Sequence, residues 1–99
     1  MAEPVFELLV VDGRPTVRGE CDLSTAAELQ AWLLSFDGQL EDVDLSGVSF
    51  FDSCALRACL NVRRSKPNLR IVEASDAVRK VLEITGTLDY LISPGGEAD

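Results

Sequence analysis

The sequence contains no histidine, so it lacks the side chain most often used as a general base near neutral pH and most often used to hold a transition metal. It has no Cys-x-x-Cys pair, and Cys21, Cys54 and Cys59 do not make a zinc-ligand pattern. No metal site or cofactor is expected. An odd number of cysteines without framework spacing reads as reduced thiols in a cytosol. Cys54 and Cys59 are five apart and would not share a helix face. Positive charge is scarce: 9 basic against 17 acidic residues give a net charge of −8. That balance excludes the basic footprint of a nucleic-acid binder and disfavours direct binding to an anionic membrane. Apolar runs such as Leu8-Leu9-Val10-Val11 are far shorter than the ~20 residues that cross a bilayer. The start, Met1-Ala2-Glu3-Pro4, carries no basic-then-apolar signal pattern, so a cytoplasmic location is expected.

What is present fits one ordinary globular domain. The 99 residues are 46% hydrophobic and 26% charged, enough for a single core without a metal or disulfide. Val5 to Val11, apolar except for Glu7, reads as a well-buried strand. Asp12-Gly13-Arg14-Pro15 is a turn, and Thr16 to Gly19 alternates, giving a hairpin with a loop slightly longer than the tightest type. Thr25 and Glu28 have capping-box spacing. A helix then spans Ala26 to Phe36, with Leu29, Leu33 and Phe36 on one face and Asp37-Gly38 as its stop.

Val43-Asp44-Leu45 predicts a short strand, leading through a loop at Ser46-Gly47 toward a helix that starts near Ser53. On that helix Leu56, Cys59, Leu60 and Arg63 share one face, flanked by Ala55 and Val62, and Arg57, Asn61 and Arg64 lie on the opposite face, with Arg63, Arg64 and Lys66 in the last turn where positive charge suits the macrodipole. Pro67 ends it at or before Lys66. Leu69 to Glu73 is a strand. Ser75 or Asp76 caps a third helix through Ile84, with Val78, Val81 and Leu82 inward and Gly86 as its stop. Tyr90-Leu91-Ile92 reads as a last short strand, and residues 93–99 as a flexible acidic tail. The order β-β-α-β-α-β-α-β predicts an α/β fold: a mixed sheet, opened by a hairpin and continued by βα units, covered by helices.

The most informative stretch is Phe50-Phe51-Asp52-Ser53. A serine in the first turn of a helix lies beside unsatisfied backbone N–H groups and the positive end of the macrodipole. Unmodified, Ser53 would cap those donors; phosphorylated, it would present its oxygens to the same donors. A structural cap is the commoner role of such a serine.

Three blocks sharpen the reading: Gly19-Glu20-Cys21-Asp22 with Thr25-Ala26 and Leu29; Asp44 to Ser53 with Leu56; and Leu82 with Ile84-Thr85-Gly86 and Leu88. In this order the sequence resembles the STAS domain of anti-sigma-factor antagonists over roughly residues 5 to 92. The resemblance implies one STAS domain, residues 1–92, in a small cytosolic bacterial protein that acts by partner switching and is not an enzyme. The unphosphorylated form of such a protein binds an anti-sigma factor that is also a serine kinase, and so frees a sigma factor for transcription. The kinase modifies the serine after the aspartate, here Ser53, which abolishes the complex; a metal-dependent serine phosphatase restores it. By position, Asp52 and Asp22 are acids beside the phosphosite, with a helix cap for Asp52 and a brace of the loop before Thr25 for Asp22 as their alternative roles, and Ser24, Thr25, Cys54, Leu56 and Arg57 are candidates for the partner-facing rim. Leu56 also lies on the apolar face of its helix. No further partner is implied, and the chain alone is expected to be a monomer.

The sequence departs from the family where a second hydroxyl residue and a glycine usually follow the phosphoacceptor. Here Cys54 and Ala55 stand, and the methyl of Ala55 would occupy space a partner's backbone uses. Cys21 replaces an aliphatic residue. Both Cys21 and Cys54 are expected near the binding end, with packing the commoner role for small thiols. Other readings are an accessory subunit of an ABC transporter or a stress-sensing scaffold, on the same fold. A serine-nucleophile hydrolase is more distant, since histidine and Gly-x-Ser-x-Gly are both absent.

Overall fold

The computed structural model describes residues 6–36 and 42–92. Among these, four strands form one mixed sheet in the order β1-β2-β3-β4. β1 (Phe6–Val11) and β2 (Arg14–Cys21) pair antiparallel, with Val11 opposite Arg14. The hairpin loop is therefore only Asp12-Gly13, and both residues have positive φ, 52° and 79°. This is the tightest hairpin turn, shorter than the turn residues suggested; Asp-Gly is a preferred pair for it because glycine adopts that backbone without steric cost. β3 (Asp42–Phe51) runs parallel to β2, and β4 (Arg70–Ala74) parallel to β3.

Two expectations about these strands need correction. β1 is half-buried rather than well buried, with Val10 57% and Val11 43% exposed. Its apolar run suggested cover on both faces, but it lies at the sheet edge with one neighbour. β3 does not stop at Leu45; it continues through Ser46-Gly47 to Phe51. Its pairing with β2 shifts register between Asp44 and Gly47 and again between Val48 and Phe50, so extra residues are absorbed as bulges. Asp44 Oδ1 accepts from the Ser46 amide at 2.8 Å and the Ser46 hydroxyl at 2.7 Å at the first of these. Gly47 is required there because an added Cβ would lie 2.7 Å from Arg18 Cγ on the neighbouring strand.

Among the described residues four helices supply the cover: α1 (Ala26–Leu34), α2 (Ser53–Ser65), α3 (Asp76–Thr85) and α4 (Leu88–Ile92). One core joins them to the strands. Val17, Val43, Leu45, Val48 and Ile71 from the sheet meet Leu29, Leu33, Val62, Val78, Leu82 and Leu91 from the helices, all buried. Cys59 is buried with them, whereas Leu60 is half-buried; Ala58, left out of the predicted face, is buried instead. α1 ends at Leu34, earlier than Phe36, though Phe36 still packs edge-on against Trp32 with centroids 5.0 Å apart. The expected stop at Asp37-Gly38 and the tail 93–99 lie outside the described residues. α3 starts on Ser75, whose hydroxyl accepts from Val78 N, and ends on Gly86 at φ 75°. The Thr87 amide then donates to Leu82 O at 2.9 Å, closing the helix end.

The segment Tyr90-Leu91-Ile92 is helical, not a strand. A short β-like triplet is decided by tertiary contact, and Arg63 makes that contact. Its guanidinium is buried at 8% exposure, donates from Nε to Pro67 O at 2.9 Å and from Nη1 to Tyr90 O, and stacks 4.2 Å over the Tyr90 ring. One residue thus ties the end of α2 to α4. Arg63→Ala is expected to lower stability by about 2–3 kcal/mol, since charge-assisted bonds and a cation–π contact are lost together. Arg63→Lys should recover only a minor part, because an ammonium lacks the planar fork. Urea denaturation of the three proteins checks both.

Candidate functional site

The parallel register of β2 and β3 builds the site. Cys21 pairs with Phe51, so the residues that follow, Asp22 and Asp52, leave the sheet side by side. The Asp52 amide donates to Cys21 O at 3.2 Å and extends the ladder by one step. Asp52 has extended backbone and caps α2: its Oδ1 accepts from the amides of Cys54 at 2.9 Å and Ala55 at 3.0 Å. The cap is therefore Asp52, not Ser53. Ser53 is the first helical residue, and its side chain is exposed. No hydrogen bond engages its hydroxyl among the described residues. The expectation that this oxygen, with or without phosphate, would use the first-turn donors is corrected as well, because Asp52 already holds two of them.

Asp22 organises the neighbouring loop. Its Oδ1 accepts from the Ser24 amide at 2.9 Å and the Ser24 hydroxyl at 2.7 Å. These bonds, led by that hydroxyl, hold the Asp22 carboxyl below the usual carboxylate range. Thr25 Oγ1 accepts from the Asp22 amide at 2.9 Å and donates to Glu20 O at 3.1 Å. It makes no side-chain cap on α1, so the capping box with Glu28 does not form. The hydroxyl turns back to close the β2–α1 loop instead, and the amides of Thr25 and Ala26 both reach Asp22 O.

The other expected residues divide. Ser24 and Arg57 are exposed, and Thr25 and Cys54 are half-buried, at the end where Asp22 and Asp52 emerge. Leu56 is 7% exposed and belongs to the core, so it does not line the rim. Ala55 is fully buried. Its methyl fills the core and does not stand in a partner's way. Cys21 is fully buried too, which places it beneath the site rather than on its surface. Burial, reinforced by the charges of Asp22 and Asp52, pushes its thiol up to about 12. Burial pushes Cys59 up to about 12 as well, with Cys21 adding to the effect.

Two residues escaped the sequence reading. Leu23 is 77% exposed between Asp22 and Ser24, and Phe50 is 49% exposed opposite Glu20. Strand alternation carried the signal for Phe50: if Phe51 faces the core, Phe50 faces away. Leu23, an apolar residue in a polar turn with no periodic place, was the other clue. Each leaves apolar surface next to an acid, Leu23 beside Asp22 and Phe50 opposite Glu20. Among the described residues no cluster of three or more Cys, Asp or Glu side chains is placed to hold a metal ion, and no helix is long and apolar enough to cross a membrane.

The mixed sheet with its helices defines a single α/β domain in which a capped helix presents a serine beside two acids at the strand ends. The family model described as "STAS domain" matches residues 15–95, so the chain belongs to the STAS domain family. The solved structure of an anti-sigma factor antagonist from Mycobacterium paratuberculosis is similar: TM-score 0.67 and 25% identity, over 88% of this chain and 80% of that one. No curated protein matches the chain.

Two measurements check the site. Asp52→Ala is expected to lose about 1 kcal/mol of stability in urea, and Asp52→Asn almost none, since asparagine also caps. Iodoacetamide at pH 8 should label one thiol per folded chain, at Cys54, and three after unfolding. Because the two buried thiols ionise far more readily in the unfolded chain, their stabilising contribution is complete below pH 9 and falls as pH rises toward 12.

Proposed function

We propose that this STAS domain is an anti-sigma-factor antagonist switched by phosphorylation of Ser53. In this reading the unphosphorylated protein binds an anti-sigma factor with serine kinase activity in the cytoplasm and frees a sigma factor for transcription. The kinase transfers a phosphoryl group to Ser53, the complex dissociates, and a serine phosphatase resets the switch. The observation that carries the reading is the division of labour at the start of α2. Asp52 caps the helix, so the Ser53 hydroxyl is exposed and unengaged, available to another protein's active site.

The chemistry is supplied by the partner. With no histidine in the chain, nothing here plays the usual base for a serine nucleophile, and the domain's own part is to present the acceptor. Asp22 and Asp52 then serve as acids beside the acceptor, where they orient the kinase's bound nucleotide and metal. Leu23, Ser24, Thr25, Phe50, Cys54 and Arg57 form the docking rim. Apolar contact through Leu23 and Phe50 gives affinity, and the polar residues give register.

Phosphate adds about −1.5 to −2 charges at neutral pH. It does so beside Asp22 and Asp52, at an end that a kinase-binding surface must already match in charge. Two unit charges 6 Å apart repel by about 3 kcal/mol at an effective dielectric near 20. That is roughly a hundredfold in affinity. The switch needs no refolding, because the helix is capped by Asp52 in either state.

The test pairs phosphorylation with binding. Incubation with candidate anti-sigma kinases and ATP should place phosphate at Ser53 alone, read by peptide mass spectrometry. Ser53→Ala should bind the kinase as tightly as the parent, and the phosphorylated protein about a hundredfold more weakly. Equal affinity of both forms, or recovery of a transporter ATPase instead of a kinase in a pull-down, overturns the reading.

A further inference from the structure

The start of α2 contains more than an acceptor. Ser53 and Arg57 are four residues apart on a continuous helix, so their side chains are neighbours on one face. Side chains on a helix lean toward its N-terminus, which puts position 53 within reach of the long arm of Arg57. Arg57 is exposed and forms no ion pair among the described residues. The other two arginines of α2, Arg63 and Arg64, lie in its last turn. Arg57 is thus the one cation in the first two turns. An acid placed N-terminal to a base at this spacing is the favourable order.

The backbone offers a phosphate at position 53 little competition. The amides of Cys54 and Ala55 are already given to Asp52. The guanidinium has the planar, forked geometry that pairs with two phosphate oxygens. Resting on the reading of Ser53 as the phosphoacceptor, we propose that Arg57 is an intramolecular latch that grips the phosphoryl group on Ser53. In the unmodified protein Arg57 is free to meet an acidic group on a partner. In the phosphorylated protein it is drawn into the internal pair. Modification therefore removes a cation from the docking rim at the same time as it adds negative charge.

The latch is tested without a kinase, by encoding phosphoserine directly at position 53 of the full chain. Phosphorus-31 NMR then gives the second ionisation of the phosphate, which lies near 6 when unperturbed. Asp22, Asp52 and Glu20 at the end of β2 favour the less charged form; Arg57 opposes them. Phosphate ionisation in the Arg57→Gln variant is expected about half a unit higher than in the parent, with Arg57→Lys between the two. The Nε–H signal of Arg57 should also shift when position 53 carries phosphate. Equal ionisation in the parent and Arg57→Gln, with an unmoved Nε–H signal, overturns the latch. Failure of every candidate kinase to modify Ser53 would instead remove the regulatory reading and leave this titration unaffected.

Discussion

The site depends on one carboxylate. Asp52 joins the end of β3 to the start of α2, takes the Cys54 and Ala55 amides, and is itself tied through its own amide to Cys21 O on β2. Helix ends leave backbone donors that must find partners. Were Ser53 to serve them, its hydroxyl would be turned inward and committed. Because Asp52 serves them, the serine is left over, rigidly placed and facing solvent. A side chain with no structural duty on a fixed backbone can be changed without unfolding the helix.

The same corner concentrates opposing demands. Asp22 and Asp52 emerge together because β2 and β3 run parallel and end in register. Two acids side by side are tolerable only where each is hydrogen-bonded, and each is: Asp22 by Ser24, Asp52 by the amides of α2. Beneath them Cys21 is buried, a small side chain that lets the strand end pack closely against the helix layer. The bulges in β3 are part of the same geometry. They carry a long strand past a shorter neighbour while keeping Phe51 buried and Phe50 exposed. Gly47 permits this because Arg18 crosses where its side chain would be.

Much of the fold was legible from local rules. Ser75 and Gly86 bound α3 as their capping chemistry requires, and Pro67 follows the end of α2. Departures arose where a local preference had a distant competitor. Thr25 and Glu28 have the right spacing for a capping box, yet Thr25 bonds to Glu20 O and Asp22 N, residues whose position is set by the strand before it. Tyr90 to Ile92 is β-like in composition but helical, because Arg63 holds the Tyr90 carbonyl and ring. Val5 to Val11 is apolar enough for an inner strand, but no periodicity says which strand stands at the edge.

The sequence alone determined that this is one acidic α/β domain of STAS type, with a serine following an aspartate at a helix start. Those properties reside in composition, short-range spacing and caps, which neighbouring residues decide between themselves. Only the tertiary structure decided which of the two residues caps the helix, that Leu23 and Phe50 turn out to solvent, and how Asp22 and Asp52 are each held where they leave the sheet. Each of those depends on the pairing of β2 with β3, a contact between segments some thirty residues apart. No local pattern encodes the register of such a pair; it emerges when the core closes around both strands.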